Sequence, residues 1–339
     1  MEISVEKLKS LVKKLQEAKI LVIGDLALDE MVYGDTERIS REAPVLILQH
    51  TYTKFILGGA SNAAHNVATL NDGKVSVVGV IGDDYQAQDL KCAFNEAGIN
   101  CESLISDASR KTITKTRISG SCSHSITQQI VRIDRQTNAP LSFSTEAKLI
   151  EKIKEMIPDF DAVILSDYHI GTLSDKVLNA VFETAKKYSK IVVVDAQKDL
   201  DRYKGCYTMT PNLPDTQKHV GFYLDSKEDF LRAGSTLLEQ TGADNVLITC
   251  GADGMVVVEQ GNKYTHIPVF NKSKVFDVTG AGDTVTATYS LALAIGAEPV
   301  YAAIIGNIAA GIVVKQFGCA TTSIEEILAS IPAIIEVDV

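Results

Sequence analysis

Several large functional classes are excluded by what the sequence lacks. It has no G-x-x-x-x-G-K-[ST] stretch, so it is not a Walker-type P-loop protein. No G-x-G-x-x-G follows the first apolar run; "VIGDLALD" continues into acids instead, which argues against a dinucleotide-binding Rossmann domain. There is no basic block: 33 basic residues against 43 acidic ones leave a net charge of −10. Such a chain suits neither nucleic acid nor an anionic membrane. Any anionic ligand must be met by local cations or by backbone amides. The six cysteines (Cys92, Cys101, Cys122, Cys206, Cys250, Cys319) form no Cys-x-x-Cys pair and show no zinc-finger spacing to histidine. That pattern predicts free thiols in a reducing cytoplasm. The longest apolar run, "AAIIGNIAAGIVV" at 302–314, is too short to span a bilayer and is interrupted by Asn307. A signal-peptide pattern is missing too: Leu8, Leu11, Val12 and Leu15 recur at helical spacing among Lys and Glu, which reads as an amphipathic helix.

Short β-branched runs alternate with helical patterns. "ILVIGD" (20–25), "KVSVVGVIGDD" (74–84), "DAVILSDY" (161–168), "KIVVVDA" (190–196), "YTMTPN" (207–212) and "NVLITCG" (245–251) read as buried strands. Helical patterns fall at 59–70, 85–97, 144–156, 173–188 and 226–241. The alternation predicts an α/β fold with a doubly wound, mainly parallel sheet. Many of these strands end in Gly, Asp or Asn, where ligands of such folds bind. Residues 31–57 and 112–133 break the alternation and read as hairpin-like strands, a small antiparallel lid over the strand ends. No linker or repeat divides the chain, so residues 1–339 are expected to form one domain carrying that lid.

"VFDVTGAGDTV" (275–285) carries the chemistry. Gly280, Ala281 and Gly282 would present consecutive amides at the start of a helix, a ready anion site. Asp283 in the first turn can then take a proton from a hydroxyl that attacks a phosphoryl group held there. The plainer alternative is a helix-start acid favoured by the dipole.

"DVTGAGDT", "GGASNAAHNVATL" and "VVGVIGDD" together resemble the two signature regions of the ribokinase-like (PfkB) carbohydrate kinases, in order and over essentially the whole chain. The resemblance implies a ribokinase-like fold, Asp283 as catalytic base, and the 280–282 amides as the anion hole for the transferred group. It sets Gly58, Gly59 and Asn62 by the sugar, with Asp29 accepting sugar hydroxyls and Asp25 beside it. A turn-forming aspartate is the alternative for Asp29. Asn212 and Asp215 are similar to an Asn-x-x-Glu pattern that organises Mg2+ and its waters, here with an acid one methylene shorter. Thr249, Gly251 and Gly254 become nucleotide contacts. Asn307 falls where the family meets adenine, unless it is a buried amide paired to backbone. Asp277, Thr279 and Ser323 resemble positions around a monovalent cation, K+.

"GDLALDEMVYGDTERISREAPV", "TITKTR", "QQIVRID", "ILSDY" and "TPNLPD" narrow the resemblance to the subgroup acting on D-glycero-β-D-manno-heptose 7-phosphate. Members of that subgroup often carry a nucleotidyltransferase domain as well. This chain contains no His-x-Gly-His and resembles the kinase half. The implied activity is ATP- and Mg2+-dependent phosphorylation of the anomeric hydroxyl of a heptose 7-phosphate, with a homodimer formed through the lid. Lys115 and Arg117 face the same way on a strand. With Arg132 and Arg135 they could hold the substrate phosphate, or they are solvated lid charges. The chain departs from the subgroup at Ile170 and Gln197, each where a lysine is usual; Lys198 is a candidate replacement for the second, and His169 beside the first reads as structural. Those departures leave open a kinase for another sugar or sugar phosphate. A non-catalytic sugar- or nucleotide-binding protein is the rival from another class.

Overall fold

The computed structural model describes residues 3–121, 127–270 and 276–338; Cys122, the 122–126 part of the second expected lid segment, and Val275 lie outside the described residues. In chain order the first half runs α1 (Val5–Lys14), β1 (Ile20–Gly24), β2 (Leu26–Ile39), β3 (Leu46–Gly59), α2 (Ala60–Leu70), β4 (Val75–Val78), β5 (Val80–Ile81), α3 (Tyr85–Glu96), β6 (Ile105–Ser106), β7 (Ile113–Ser121), β8 (Gln128–Arg135) and α4 (Phe143–Met156). The second half runs β9 (Ala162–Asp167), α5 (Asp175–Lys187), β10 (Ile191–Ala196), β11 (Thr208–Met209), α6 (Leu213–Val220), α7 (Lys227–Thr241), β12 (Asn245–Thr249), β13 (Met255–Glu259), β14 (Lys263–Ile267), α8 (Ala281–Ala294), α9 (Pro299–Val313) and α10 (Ile324–Ser330).

Every residue of β1 is buried, and period two sends alternate side chains to opposite faces. Ile20 and Val22 join the core built with α1, α2, α3, α8, α9 and α10. Leu21 and Ile23 join the core built with α4, α5 and α7. The sheet between these cores has eight strands in the order β14-β13-β12-β11-β10-β9-β1-β4. Pairing is parallel from β4 to β12 and antiparallel through β13 and β14. The fold is therefore the doubly wound, mainly parallel one that the apolar runs predict. Side chains of Ser142, Ser174 and Ser226 cap α4, α5 and α7 by accepting an amide of the first turn, which satisfies a donor the helix cannot pair itself. Among the described residues no helix is long and apolar enough to cross a membrane.

A second sheet, ordered β3-β2-β7-β8, stands on the first. Its outer pairs are antiparallel, but the central pair β2–β7 is parallel. The antiparallel lid expected from the sequence is thus a mixed sheet. β2 follows β1 after Asp25 alone, and β7 returns only after α2, β4 and α3, a crossover that brings it alongside β2 in the same direction. The lid also starts at Leu26 rather than near 31, with Leu26 to Asp29 still buried at its base.

Candidate active site

The chain enters α8 through Gly280, whose φ of 78° is left-handed. A Cβ there would lie 2.7 Å from Asn62 Nδ2, so glycine is required twice over, by conformation and by space. The Ala281 amide donates to the Val278 carbonyl at 3.2 Å and is spent in the turn, while the amides of Gly282 and Asp283 meet no acceptor among the described residues. Open space lies before Gly282, where nothing falls within 4 Å of a would-be Cβ. The amides open to a ligand thus include that of Asp283 and not that of Ala281, a correction to the expected trio.

Asp283 is buried and gripped on both oxygens. Asn62 Nδ2 donates to Oδ2 at 2.6 Å, and the Tyr168 hydroxyl donates to Oδ1 at 3.2 Å. Burial pushes the carboxyl above the ordinary range; the Asn62 and Tyr168 bonds and the Lys115 charge pull back, while Asp29 adds to the rise. The result is a carboxylate that is basic for its kind and fixed in direction, which suits a proton acceptor. Asn62 is held by its own helix: Asn66 Nδ2 donates to the Asn62 carbonyl at 3.0 Å, and Asn66 Oδ1 accepts from Thr284 Oγ1 at 2.8 Å. α2 can begin this close because Gly58 and Gly59 precede it. Gly59 has φ 55°, and a Cβ on Gly58 would sit 3.0–3.2 Å from the Asp29 carboxyl atoms.

Tyr168 rides on a loop pinned by two acids. Asp25, fully buried, accepts the amides of Tyr168 (3.0 Å), Ile170 (3.0 Å) and Thr172 (3.2 Å). Its oxygens are committed to the loop, so the supporting place beside the sugar expected for it is not what the structure gives. Asp167 accepts the His169 amide at 2.7 Å and the Tyr203 hydroxyl at 2.8 Å. His169 takes a left-handed φ of 58° in this turn. Ile170 is buried with Ala27 and Ile113 at the lid base, so the position where the subgroup resemblance suggests a lysine holds an apolar contact.

A cavity of about 160 Å³ opens in front of Gly282 and Asp283, and Asp195, Gln197, Asn212, Asp215 and Thr249 also line it. Three carboxylates face this space, and none has a Lys, Arg or His within 4.0 Å among the described residues. Burial first, then the charges of Asp283 and Asp215, raise the Asp195 carboxyl. Asp195 is the functional candidate that motif reasoning missed; its one signal was its place at the end of a buried strand. Asn212 Oδ1 caps α6 by accepting the Asp215 amide at 2.7 Å, and Asn212 bridges Thr249. Lys198 is exposed and does not line the cavity. A larger cavity, about 580 Å³, lies by Tyr264 and Tyr301 and contains none of the expected site residues.

The lid cations divide. Lys115, Arg117 and Arg132 share one face, since Asp29 pairs with Lys115 and Arg117 with Arg132 across the strands. Lys115 Nζ stands 5.2 Å from the Tyr168 ring centre, Arg117 ion-pairs with Asp29 at 3.0 Å, and Arg132 holds Asp134 through two bonds of 2.6 Å. Arg135 points to the other face, toward Glu30 and Thr116, and so leaves the expected cluster.

The remaining candidates sit in turns and caps. Gly251 (φ 59°) faces open space, whereas a Cβ on Gly254 would meet the Ile267 carbonyl at 2.1 Å. Asn307, buried in α9, donates to the Pro268 carbonyl at 3.3 Å, the backbone pairing rather than a free amide. Asp277 Oδ1 accepts the amide (2.9 Å) and hydroxyl (2.7 Å) of Thr279, and its Oδ2 accepts the Gly318 amide at 2.9 Å. Ser323 caps α10.

A buried carboxylate fixed in direction, open helix-start amides and a cation-bearing roof suit the transfer of an anionic group to a small hydroxylated acceptor. The chain belongs to the pfkB family of carbohydrate kinases, which residues 17–327 match, and is an ATP-dependent enzyme of that class. It is 37% identical over 322 residues to the Bifunctional protein HldE of Pelobacter propionicus and 38% identical over 327 residues to that of Geotalea uraniireducens. These alignments cover 95% and 96% of this chain but 64% and 65% of those proteins, so the chain spans less than two thirds of the curated relatives' length. In solved structures the fold is similar to an Arabidopsis thaliana ribokinase complexed with ribose and ATP (TM-score 0.70, 18% identity, 92% of this chain and 98% of that one). It is also similar to Escherichia coli phosphofructokinase-2 in complex with potassium (TM-score 0.72, 16% identity, 92% and 97%).

Proposed function

We propose that this kinase phosphorylates the anomeric hydroxyl of a sugar that already bears a phosphate, a heptose 7-phosphate, with Asp283 as the base. The observation that carries the reading is the Asp283 carboxylate, held by Asn62 and Tyr168 beside the open Gly282 amide. The acceptor hydroxyl gives its proton to Asp283 as its oxygen attacks. Charge developing on the transferred group meets the amides of Gly282 and Asp283. Asp29 and Asn62 orient the sugar ring, and the lid cations Lys115, Arg117 and Arg132 take its phosphate. ATP supplies the phosphoryl group. Thr249 and Gly251 border its path, while Gly254 shapes the turn beside them. Mg2+ fits a cavity where Asp195, Asp215 and Asp283 lack a counter-ion. Among the described residues no three potential ligands cluster tightly enough to hold a metal directly, so contact through water is the fitting mode. K+ is the cation for the Asp277–Thr279 turn, and both Asp277 oxygens are already engaged there.

The motifs shared with the heptose 7-phosphate subgroup and the likeness to the Bifunctional protein HldE support this acceptor. Ile170, buried in an apolar contact, favours a second reading in which the acceptor is another sugar phosphate. The separating experiment measures kcat/KM over a panel of heptose, hexose and pentose phosphates and the matching free sugars. The best turnover belongs to heptose 7-phosphate; a higher value for another acceptor transfers the assignment to it. The lid exposes Phe55, Val131 and Ile133 on the face turned away from Asp29 and Arg117, which supports a homodimer through this sheet. The five described cysteines are unpaired, in keeping with a cytoplasmic location.

A further inference from the structure

Asp29 and Arg117 are both spoken for before any ligand arrives, and the way they meet is informative. Arg117 Nη1 lies 3.0 Å from Asp29 Oδ1, with side-chain exposures of 20% and 10%. Yet Asp29 Oδ1 is buried and receives no hydrogen bond. The two are held by charge alone, without the directed N–H that a carboxylate oxygen prefers. Asp29 has little freedom to turn toward α2 to find one, because a Cβ on Gly58 would already stand 3.0–3.2 Å from its carboxyl atoms. Its Oδ1 is therefore neutralised but unsatisfied. It lacks the donor that a sugar hydroxyl would bring, and Arg117 lacks the planar acceptor its fork fits best.

We propose that Arg117 is a specificity latch: it masks Asp29 in the empty site and releases it only to an acceptor that brings its own anion. An acceptor with both hydroxyl and phosphate satisfies the two partners at once, the phosphate taking the guanidinium and a hydroxyl taking Oδ1. A free sugar offers the hydroxyl alone and must compete with Arg117 for Asp29. Arg132, directly across the strand, does not fill this role because Asp134 already holds it through two bonds. Lys115 has no carboxylate within 4.0 Å among the described residues, stands over Tyr168, and acts nearer the base. This inference rests on the reading that the natural acceptor carries a phosphate.

The test compares kcat/KM for heptose 7-phosphate and for the free heptose in wild type and in Arg117→Ala. The latch predicts changes of opposite sign: a ten- to hundred-fold fall with the phosphosugar, the scale of a lost charge-assisted contact, and a rise of roughly threefold or more with the free sugar as Asp29 is unmasked. A fall with both, or a free-sugar value that does not rise, overturns the latch. Asp29→Asn removes the charge to be masked, so adding Arg117→Ala to it should give no free-sugar gain; a gain there also overturns the latch. Should Arg117→Ala melt early, Arg117→Gln keeps the volume and carries the same two expectations. A wild type that prefers the free sugar refutes the phosphosugar reading itself, and that shows before any variant is made.

Discussion

Tyr168→Phe separates a positioned base from a helix-start acid. The substitution removes one hydroxyl and leaves the ring in place beneath Lys115, whose Nζ is 5.2 Å from its centre. Asp283 loses the donor on Oδ1 at 3.2 Å and keeps the Asn62 donor on Oδ2 at 2.6 Å. Hydrogen bonds to ionised groups contribute about 1.5–3 kcal/mol. At 3.2 Å this one belongs at the low end, about 1.5 kcal/mol, which is about one pH unit. The sign follows from what the bond does. It favours the ionised carboxylate, so losing it raises a value that burial has already raised. The base acts when deprotonated, and activity is lost as pH falls through that value. The acid limb of the kcat profile in Tyr168→Phe should therefore move about one unit toward neutral pH. Above it, turnover should approach the wild-type plateau, and the KM for ATP should stay put. The Tyr168 hydroxyl itself, pushed well above its ordinary value by burial and by Asp283, stays protonated throughout and adds no titration of its own. Following ADP release from pH 5 to 9 gives both profiles. An acid limb that does not move, in a variant that melts like wild type, would refute Tyr168 as a positioning residue.

Gly58→Ala places a Cβ 3.0–3.2 Å from the Asp29 carboxyl, so Asp29 must shift; the sugar KM should rise about tenfold while the ATP KM stays within twofold, read from initial rates. Asn307→Ala strips a donor from the half-buried Pro268 carbonyl; calorimetry should show a loss of about 1 kcal/mol, with the ATP KM barely changed, and a large ATP effect without loss of stability would restore an adenine contact. The exposed apolar face of the lid should pair two copies: sedimentation at micromolar concentration should give a dimer, and Val131→Asp should yield monomers.

The parallel sheet was legible because strands covered on both faces leave runs such as "ILVIG" and "IVVVDA", which few other arrangements produce. The lid was legible as strands but not as a pairing. Alternation tells which residues share a face and says nothing of the direction of a neighbour, so the parallel β2–β7 contact stayed hidden. Arg135 was misplaced by a signal that was available: on one strand, residues 132 and 135 must point to opposite faces. Asp25 and Asp29 look equivalent in "GDLALD", yet one feeds three backbone amides and the other meets Arg117, and only the path of the 168–172 loop separates them. The Asn62–Asp283 bond joins residues 221 positions apart, beyond the reach of spacing. Asp195 lacked a motif; what singles it out is the shared cavity with Asp215 and Asp283.

Whether Asp283 takes the acceptor's proton is decided by single-turnover phosphorylation of heptose 7-phosphate by Asp283→Asn, with ATP binding measured on the same protein. The amide keeps the size of the side chain and cannot act as the base. Phosphoryl transfer should be slower by about two to four orders of magnitude, the usual scale for losing a general base, with ATP affinity kept within a few-fold. Transfer at near the wild-type rate, in a variant that binds ATP and melts normally, would contradict that role and leave Asp283 as an acid at the start of α8.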